Sequence, residues 1–308
     1  MESLFGRLKF QYAMLFDVSG RRGGLLLIII ADLLWGTVFA ASQVGLQYTN
    51  PYNLVFLRFF ISSIIIGFVA LIFNKRLRLV KELKKKWTWF FGAIYMFGFL
   101  FQYLGQDLTT VSEATLLANL APIIVPVFAF FLLKEKISTL QKLAMVLGFT
   151  GLLLISSPNL DVGSTHLIGD LLLFGTSVSY ALFTALGKKN NMVTTASSFA
   201  VIISTTVFLA PIALMLGGAA YFDPNIGVLA WAAILYLGIP CTLLAITIYL
   251  KGLAIIPASE AAVFFLLQVL VGLALSALLF GDFLDVSQSL GALMIFAALA
   301  FGVKFKKR

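Results

Sequence analysis

Apolar residues fill this chain in ten long runs, near 24–47, 54–73, 88–106, 113–133, 140–156, 168–187, 197–216, 228–250, 258–280 and 287–303. A helix needs about 20 mostly apolar residues to cross the hydrocarbon of a bilayer, and the runs approach or reach that length, the fifth and tenth being the shortest. Only helices and closed barrels satisfy their own backbone in lipid. A barrel would show alternating segments of about ten residues instead. The pattern predicts an all-α polytopic membrane protein with ten transmembrane helices.

Composition narrows the picture. Of 308 residues 61% are apolar and 11% charged, with a mean hydropathy of +1.03, whereas a soluble domain carries roughly 25% charge. No polar stretch is long enough for a separate domain, which argues against disorder, a fibrous chain and a soluble enzyme on one anchor. A single cysteine, Cys241, and a single histidine, His166, leave no disulfide framework, thiolate metal site or histidine metal site. No metal, cofactor or nucleic-acid partner is expected. No Walker motif is present, so ATP would have to act through another chain.

The basic residues set the expected orientation. Arg7, Lys9, Arg21 and Arg22 precede the first run; seven more lie between Lys75 and Lys86; Lys134, Lys136, Lys142, Lys188, Lys189 and Lys251 follow the even-numbered runs; Lys304, Lys306, Lys307 and Arg308 end the chain. With ten crossings, 21 of the 22 basic residues fall on one side. This predicts a multi-pass plasma-membrane protein with both termini cytoplasmic. Arg21-Arg22 precede a stretch containing Phe39-Ala40-Ala41-Ser42, but the run is too long for the core of a cleaved leader. Residues 1–20 carry apolar side chains at helical spacing, compatible with either an interfacial helix or a frayed end.

A shift of 147 positions places Ser112-Glu113-Ala114 on Ser259-Glu260-Ala261, Gln141 on Gln288 and Glu135 on Asp282. Helix four then corresponds to helix nine, five crossings later, and an odd number of crossings inverts the second copy. The expected organisation is a cytoplasmic segment 1–23, a first five-helix repeat 24–156, a second, inverted repeat 157–303 and a basic cytoplasmic end 304–308. Two inverted copies can exchange conformations, opening a site between them to one side and then the other.

Ten helices in two halves, Asp32-Leu-Leu-Trp-Gly36 in helix one, Arg58-Phe59 in helix two, and Pro122 followed by Lys134-Glu135-Lys136-Ile137-Ser138 closing helix four together resemble the drug/metabolite transporter superfamily, EamA type. The resemblance covers about 24–303. It implies a secondary carrier or exporter of amino acids or related metabolites, with a central cavity and peripheral fifth and tenth helices. Val269 stands where the repeat would place a second proline, and Gly281 precedes the acidic Asp282.

Polar residues inside a bilayer are costly and should face a cavity or one another. Ser112, Thr115, Asn119, Pro122 and Pro126 form one stripe of helix four; Tyr95, Phe99, Gln102 and Gln106 one of helix three; Asp32, Gly36, Phe39, Gln43 and Gln47 one of helix one. Helix six adds Asp170, Ser177, Tyr180 and Thr184. Helices five and ten carry glycines instead, which also puts them at the periphery. Asp32 lies roughly 12 Å into its helix, where a carboxylate costs about 2.5–3.5 kcal/mol. It is a candidate for binding a proton or a cationic substrate group, or it bonds a neighbouring helix. Arg58, the one basic residue outside the cytoplasmic set, pairs with a substrate carboxylate or with Asp107, Glu113 or Asp170. Trp35, Phe39, Tyr95 and Tyr180 suit an apolar or aromatic metabolite; Gln43, Gln102, Asn119 and Gln268 suit its polar groups, or else bond between helices. Pro122 and Pro126 are candidate hinges or static kinks. Lys134-Glu135-Lys136 and the basic stretch 75–86 read as topology signals and anchors to anionic lipid.

The leading expectation is therefore a secondary transporter of small organic solutes working by alternating access, with protons a possible coupling ion. A channel or scaffold is the alternative. A membrane-embedded enzyme would need a set of deep reactive groups, and only Asp32 qualifies.

Overall fold

The computed structural model describes residues 20–108, 117–156, 164–218, 226–280 and 285–302, all of whose regular elements are helical. Ser112, Glu113, Thr115, Asp282, the segment before Gly20 and the basic end 304–308 lie outside the described residues. The first run divides into α1 (Gly20–Gly36) and α2 (Val38–Leu46). Then follow α3 (Pro51–Ile72), the short basic α4 (Arg76–Leu83), α5 (Lys86–Leu108), α6 (Ala121–Leu133) and α7 (Thr139–Ser156). The second half contains α8 (Ser164–Lys189), α9 (Thr195–Leu216), α10 (Val228–Gly238), a π-helical turn (Ile239–Leu244), α11 (Ala245–Ile255), α12 (Ala258–Ala261), α13 (Phe265–Phe280) and α14 (Val286–Gly302).

Six stretches are long and apolar enough to cross a membrane: Gly20–Leu46, Pro51–Ile72, Leu167–Lys189, Thr195–Leu216, Val228–Ile255 and Ala258–Leu275. Ala121–Leu133, Thr139–Leu154 and Ser289–Phe301 are shorter apolar helices. Large apolar side chains, among them Phe68, Leu71, Phe131, Met215 and Leu278, stand on the outer surface. Water penalises such a surface and lipid does not. The chain is a multi-pass membrane protein.

Sequence chemistry explains the helix ends. Pro51 takes the first turn of α3, where its missing N–H costs nothing, and the Asn50 side chain accepts the Asn53 N–H at 2.9 Å. Thr194 and Ser197 form a reciprocal cap on α9. Lys134 adopts a left-handed conformation, φ 56°, that ends α6 and turns the chain back.

Small and hydroxylated residues hold the helices together, as expected where lipid removes the hydrophobic drive for association. Ser62 donates to the Gly238 carbonyl at 2.7 Å, Ser204 to that of Thr88 at 3.1 Å, and Thr176 to that of Gly98 at 3.1 Å. The fifth and tenth runs pack on each other to one side. There α7 and α14 share a small core of Ala144, Leu152, Ile295 and Ala298 with α13 residues Leu266 and Val269. A methyl group at Gly151 would lie 2.7 Å from the Gly291 carbonyl oxygen. Gly151→Val should accordingly destabilise the protein by about 1–3 kcal/mol, the usual cost of overpacking, read as a lower unfolding temperature in detergent.

Candidate functional site

Among the described residues, the first, fourth, eighth and ninth runs depart from regular α-helical hydrogen bonding, the last through the 3₁₀ turn Ala262–Phe264. α1 gives way to α2 at Thr37, whose hydroxyl donates to the Leu34 carbonyl at 2.7 Å. Helix four, expected to be continuous from 113 to 133, turns at Asn119-Leu120 and restarts as α6. Pro122 is the second residue of that restart, a position needing no N–H. The third break is the π turn around Pro240, where the missing proline N–H and ring displace the ladder.

Side chains of the same helix or of a neighbouring one take up the freed backbone groups. Ser177 of α8 donates to the Leu117 carbonyl and accepts the Leu120 N–H. Thr242 donates to the Leu237 carbonyl at 2.7 Å, and the Trp35 indole donates to the Cys241 carbonyl at 2.9 Å. A cavity lies beside the breaks of the first and fourth runs, with Val38, Ala118 and Asn119 in its wall.

The cavity wall is mainly aromatic. Trp35 packs on Tyr249 with ring centres 5.0 Å apart, Tyr249 on Phe265 at 5.6 Å, Tyr95 on Phe183 at 4.2 Å, and Phe99 on Tyr180 at 5.3 Å. Polar groups are few: Gln102, whose carbonyl accepts the Tyr180 hydroxyl at 2.6 Å, with Asn119, Thr184 and Gln268. Both halves contribute to this wall.

Seven of the ten residues singled out in the sequence line it: Trp35, Phe39, Tyr95, Gln102, Asn119, Tyr180 and Gln268. Gln43 does not. It is exposed, because the turn at Thr37 shifts the phase of α2 away from the stripe that begins at Asp32. Asp32 and Arg58 are fully buried just behind the wall. The Asp32 Oδ1 accepts from Gln268 Nε2 at 2.7 Å, and its Oδ2 is buried with no hydrogen-bond partner among the described residues.

Arg58 departs from the expected ion pair with Asp107 or Asp170. Its Nε donates to Thr242 Oγ1 at 2.9 Å and its Nη1 to the Tyr103 hydroxyl at 2.7 Å, while the guanidinium lies 4.6 Å from the centre of the Phe99 ring. Its Nη2 has no partner among the described residues. The cation is thus held by neutral oxygens and ring faces, an arrangement that supports charge without cancelling it.

The wall residues Tyr249, Phe265 and Phe183 escaped the sequence reading, since an aromatic residue in an apolar run gives no sign of which face it takes. Glu135 was read with its lysines as a surface anchor. The left-handed Lys134 instead turns Glu135 toward the start of α12, where it accepts from Ala258 N, Ser259 N and Ser259 Oγ at 3.0, 3.1 and 2.8 Å. Lys188 lies 3.4 Å from the same carboxylate and also donates to the Ile256 carbonyl, and Arg21 pairs with Glu260. These four charges tie the ends of the first, fourth, sixth and ninth runs at the basic end of the bundle. All three ionic or capping links cross between the halves.

A central, aromatic cavity shared by two sets of membrane helices is the arrangement of a membrane transporter. The model of the EamA-like transporter family matches this chain twice, over residues 22–157 and 167–303. The chain belongs to this family, within the drug/metabolite transporter superfamily. It is 30% identical over 252 residues to an uncharacterized transporter of Archaeoglobus fulgidus, covering 78% of this chain and 83% of that one. Similarity to the S-adenosylmethionine uptake transporter of Rickettsia bellii is 22% over 259 residues, covering 84% and 86%. A solved protein structure superposes with a TM-score of 0.79 at 18% identity, covering 92% of this chain and 97% of the other, which shows the fold.

Tyr103→Phe tests the support of Arg58. It leaves Nη1 with no acceptor, and a buried unpaired donor costs about 1–3 kcal/mol. Denaturation in mixed micelles should show that loss; an unchanged midpoint would mean that the guanidinium finds another acceptor.

Proposed function

We propose that this protein is a secondary transporter of small organic metabolites, amino acids and related amphipathic compounds among them, working by alternating access. In this reading the chain crosses the plasma membrane ten times with both termini cytoplasmic. Residues 24–156 and 157–303 form two inverted five-helix halves, and substrate binds in the cavity between them. Trp35, Phe39, Tyr95 and Tyr180 receive an apolar or aromatic portion, while Gln102, Asn119 and Gln268 receive polar groups. Asp32 and Arg58 supply opposite charges from behind the wall, with Asp32 the residue that takes up a coupling proton.

The observation that carries this reading is the pairing of a cavity lined from both halves with a charged cluster that fastens those halves together at one end only a few turns away. A carrier needs a site that one end can close while the other opens, whereas a channel needs a continuous polar lining. The aromatic packing across this cavity interrupts any such lining. The clustering of Arg21, Glu135, Lys188 and Glu260 at one end, and of Asn50, Asn53 and Gly217 at the other, supports an even number of crossings between successive basic segments. The relative named for S-adenosylmethionine uptake supports an amphipathic amino-acid derivative as the kind of substrate.

Counterflow in proteoliposomes tests the proposal. Unlabelled solute preloaded inside the vesicles should drive transient accumulation of external labelled solute, saturably, for at least one member of a panel of amino acids and their nucleoside conjugates. Linear flux without counterflow would favour a channel. A second expectation concerns the closed end. Glu135→Ala removes both the Lys188 ion pair and the cap on Ala258 and Ser259, so the basic end should open more often. The chain's single cysteine, Cys241, is buried against the Trp35 region. Its alkylation by N-ethylmaleimide should therefore be faster in Glu135→Ala than in the unaltered protein.

A further inference from the structure

Gln268 is the only cavity-lining side chain bonded to a carboxylate among the described residues, and that carboxylate is itself hidden from the cavity. The contact is possible because α1 and α13 approach closely at Gly36. A methyl group there would meet Val271 Cγ1 at 2.9 Å and the Gln268 Cα at 3.1 Å. The geometry also fixes which way the amide faces. An ionised carboxylate only accepts hydrogen bonds, so it holds the Gln268 NH₂ group and leaves the amide oxygen as the end available to the cavity.

We propose that Asp32 and Gln268 form a proton-driven relay that reverses the hydrogen-bonding character of the cavity wall. This rests on the transport reading of that cavity. When Asp32 is ionised, Gln268 offers substrate a carbonyl oxygen, an acceptor. When Asp32 takes a proton from water on Oδ1, the oxygen that Gln268 faces, the acid turns an O–H donor toward the amide and no longer accepts its N–H there. A half-turn about the last side-chain bond of Gln268 then lets Oε1 accept that O–H and presents NH₂ to the cavity, a donor. No bond other than that of the proton forms or breaks, and loss of the proton to water restores the first state.

The surroundings favour a two-state response. Of the elements packed on α1, α11 contributes Tyr249 and, nearer the basic end, Lys251; the π turn contributes Cys241; the 3₁₀ turn Ala262–Phe264 contributes nothing titratable. Glu260 of α12 is engaged with Arg21. Arg58, the other buried charge, is bonded to Thr242 and Tyr103 instead. Among the described residues no cation is bonded to Asp32, so its one hydrogen bond to Gln268 carries the signal. The relay makes the proton-free carrier select substrates that present N–H groups and the proton-bound carrier select those that present acceptors.

Two neutral probes separate this effect from simple charge attraction: indole, which only donates, and acetophenone, which only accepts. Binding of each to the detergent-purified full chain is followed by isothermal titration calorimetry across the pH range. Lowering the pH should weaken indole and strengthen acetophenone, each by about fivefold, the worth of one neutral hydrogen bond. In Asp32→Asn the ratio of the two affinities should be independent of pH. In Gln268→Leu the ratio should also be flat, while an infrared band of a protonated carboxyl, absent in Asp32→Asn, still titrates. That combination distinguishes the relay from mere loss of Asp32 or of folding. Parallel shifts of both probes with pH, or a reversal retained in Asp32→Asn, would overturn the relay. Absence of binding by both probes would do so too, and counterflow on the same preparation would tell whether the transport reading falls with it.

Discussion

A backbone group inside a bilayer has no water to turn to, so a helix that breaks must find replacement partners in nearby side chains, its own or those of a neighbouring helix. The centre of this protein is organised by that requirement. Ser177 satisfies the break at Asn119-Leu120, while Thr242 and Trp35 satisfy carbonyls within and just before the π turn. The breaks lie on different runs, and Val38, Ala118 and Asn119, beside two of them, stand in the cavity wall. Irregular backbone is tolerated where it is buried in protein or lines a cavity, and here Trp35 both bonds to the π turn and stands in the cavity wall.

Two buried charges exploit this framework in different ways. Arg58 is surrounded by hydroxyls and ring faces that each offer partial stabilisation, and it shares Thr242 with the repaired π turn. Its charge is therefore coupled to the shape of the eighth run. Asp32 has one partner, and that partner faces the cavity. Burial of an ion without a counterion is expensive in stability, and neither side chain is paired with an opposite charge among the described residues.

At the basic end the logic is reversed. Arg21, Glu135, Lys188 and Glu260 are engaged with one another or with helix-end backbone, and both ion pairs and the cap on Ala258 and Ser259 join the two halves. Part-exposed ion pairs are individually weak. The hydroxyl-to-carbonyl bonds deeper in the bundle, such as Ser62 to Gly238, are sheltered from water and keep α3 and the eighth run together.

Much of this was legible in the chain. Runs of apolar residues set the helical, membrane-embedded class, because lipid imposes one solution on a continuous hydrophobic segment. Rare polar and aromatic residues at helical spacing marked seven residues that line the cavity, since burying them elsewhere is costly. The misreadings came from long-range geometry. Gln43 lost its stripe at a single turn, Arg58 found hydroxyls 45 and 184 positions away instead of a carboxylate, and Glu135 crossed to a helix start more than 120 positions along. Amino-acid sequence by itself determined the solvent this protein lives in and which residues are too polar to face it. Tertiary structure alone decided which of those residues meet, because a contact between helices depends on the phase and breaks of both partners, and neither is encoded within one run.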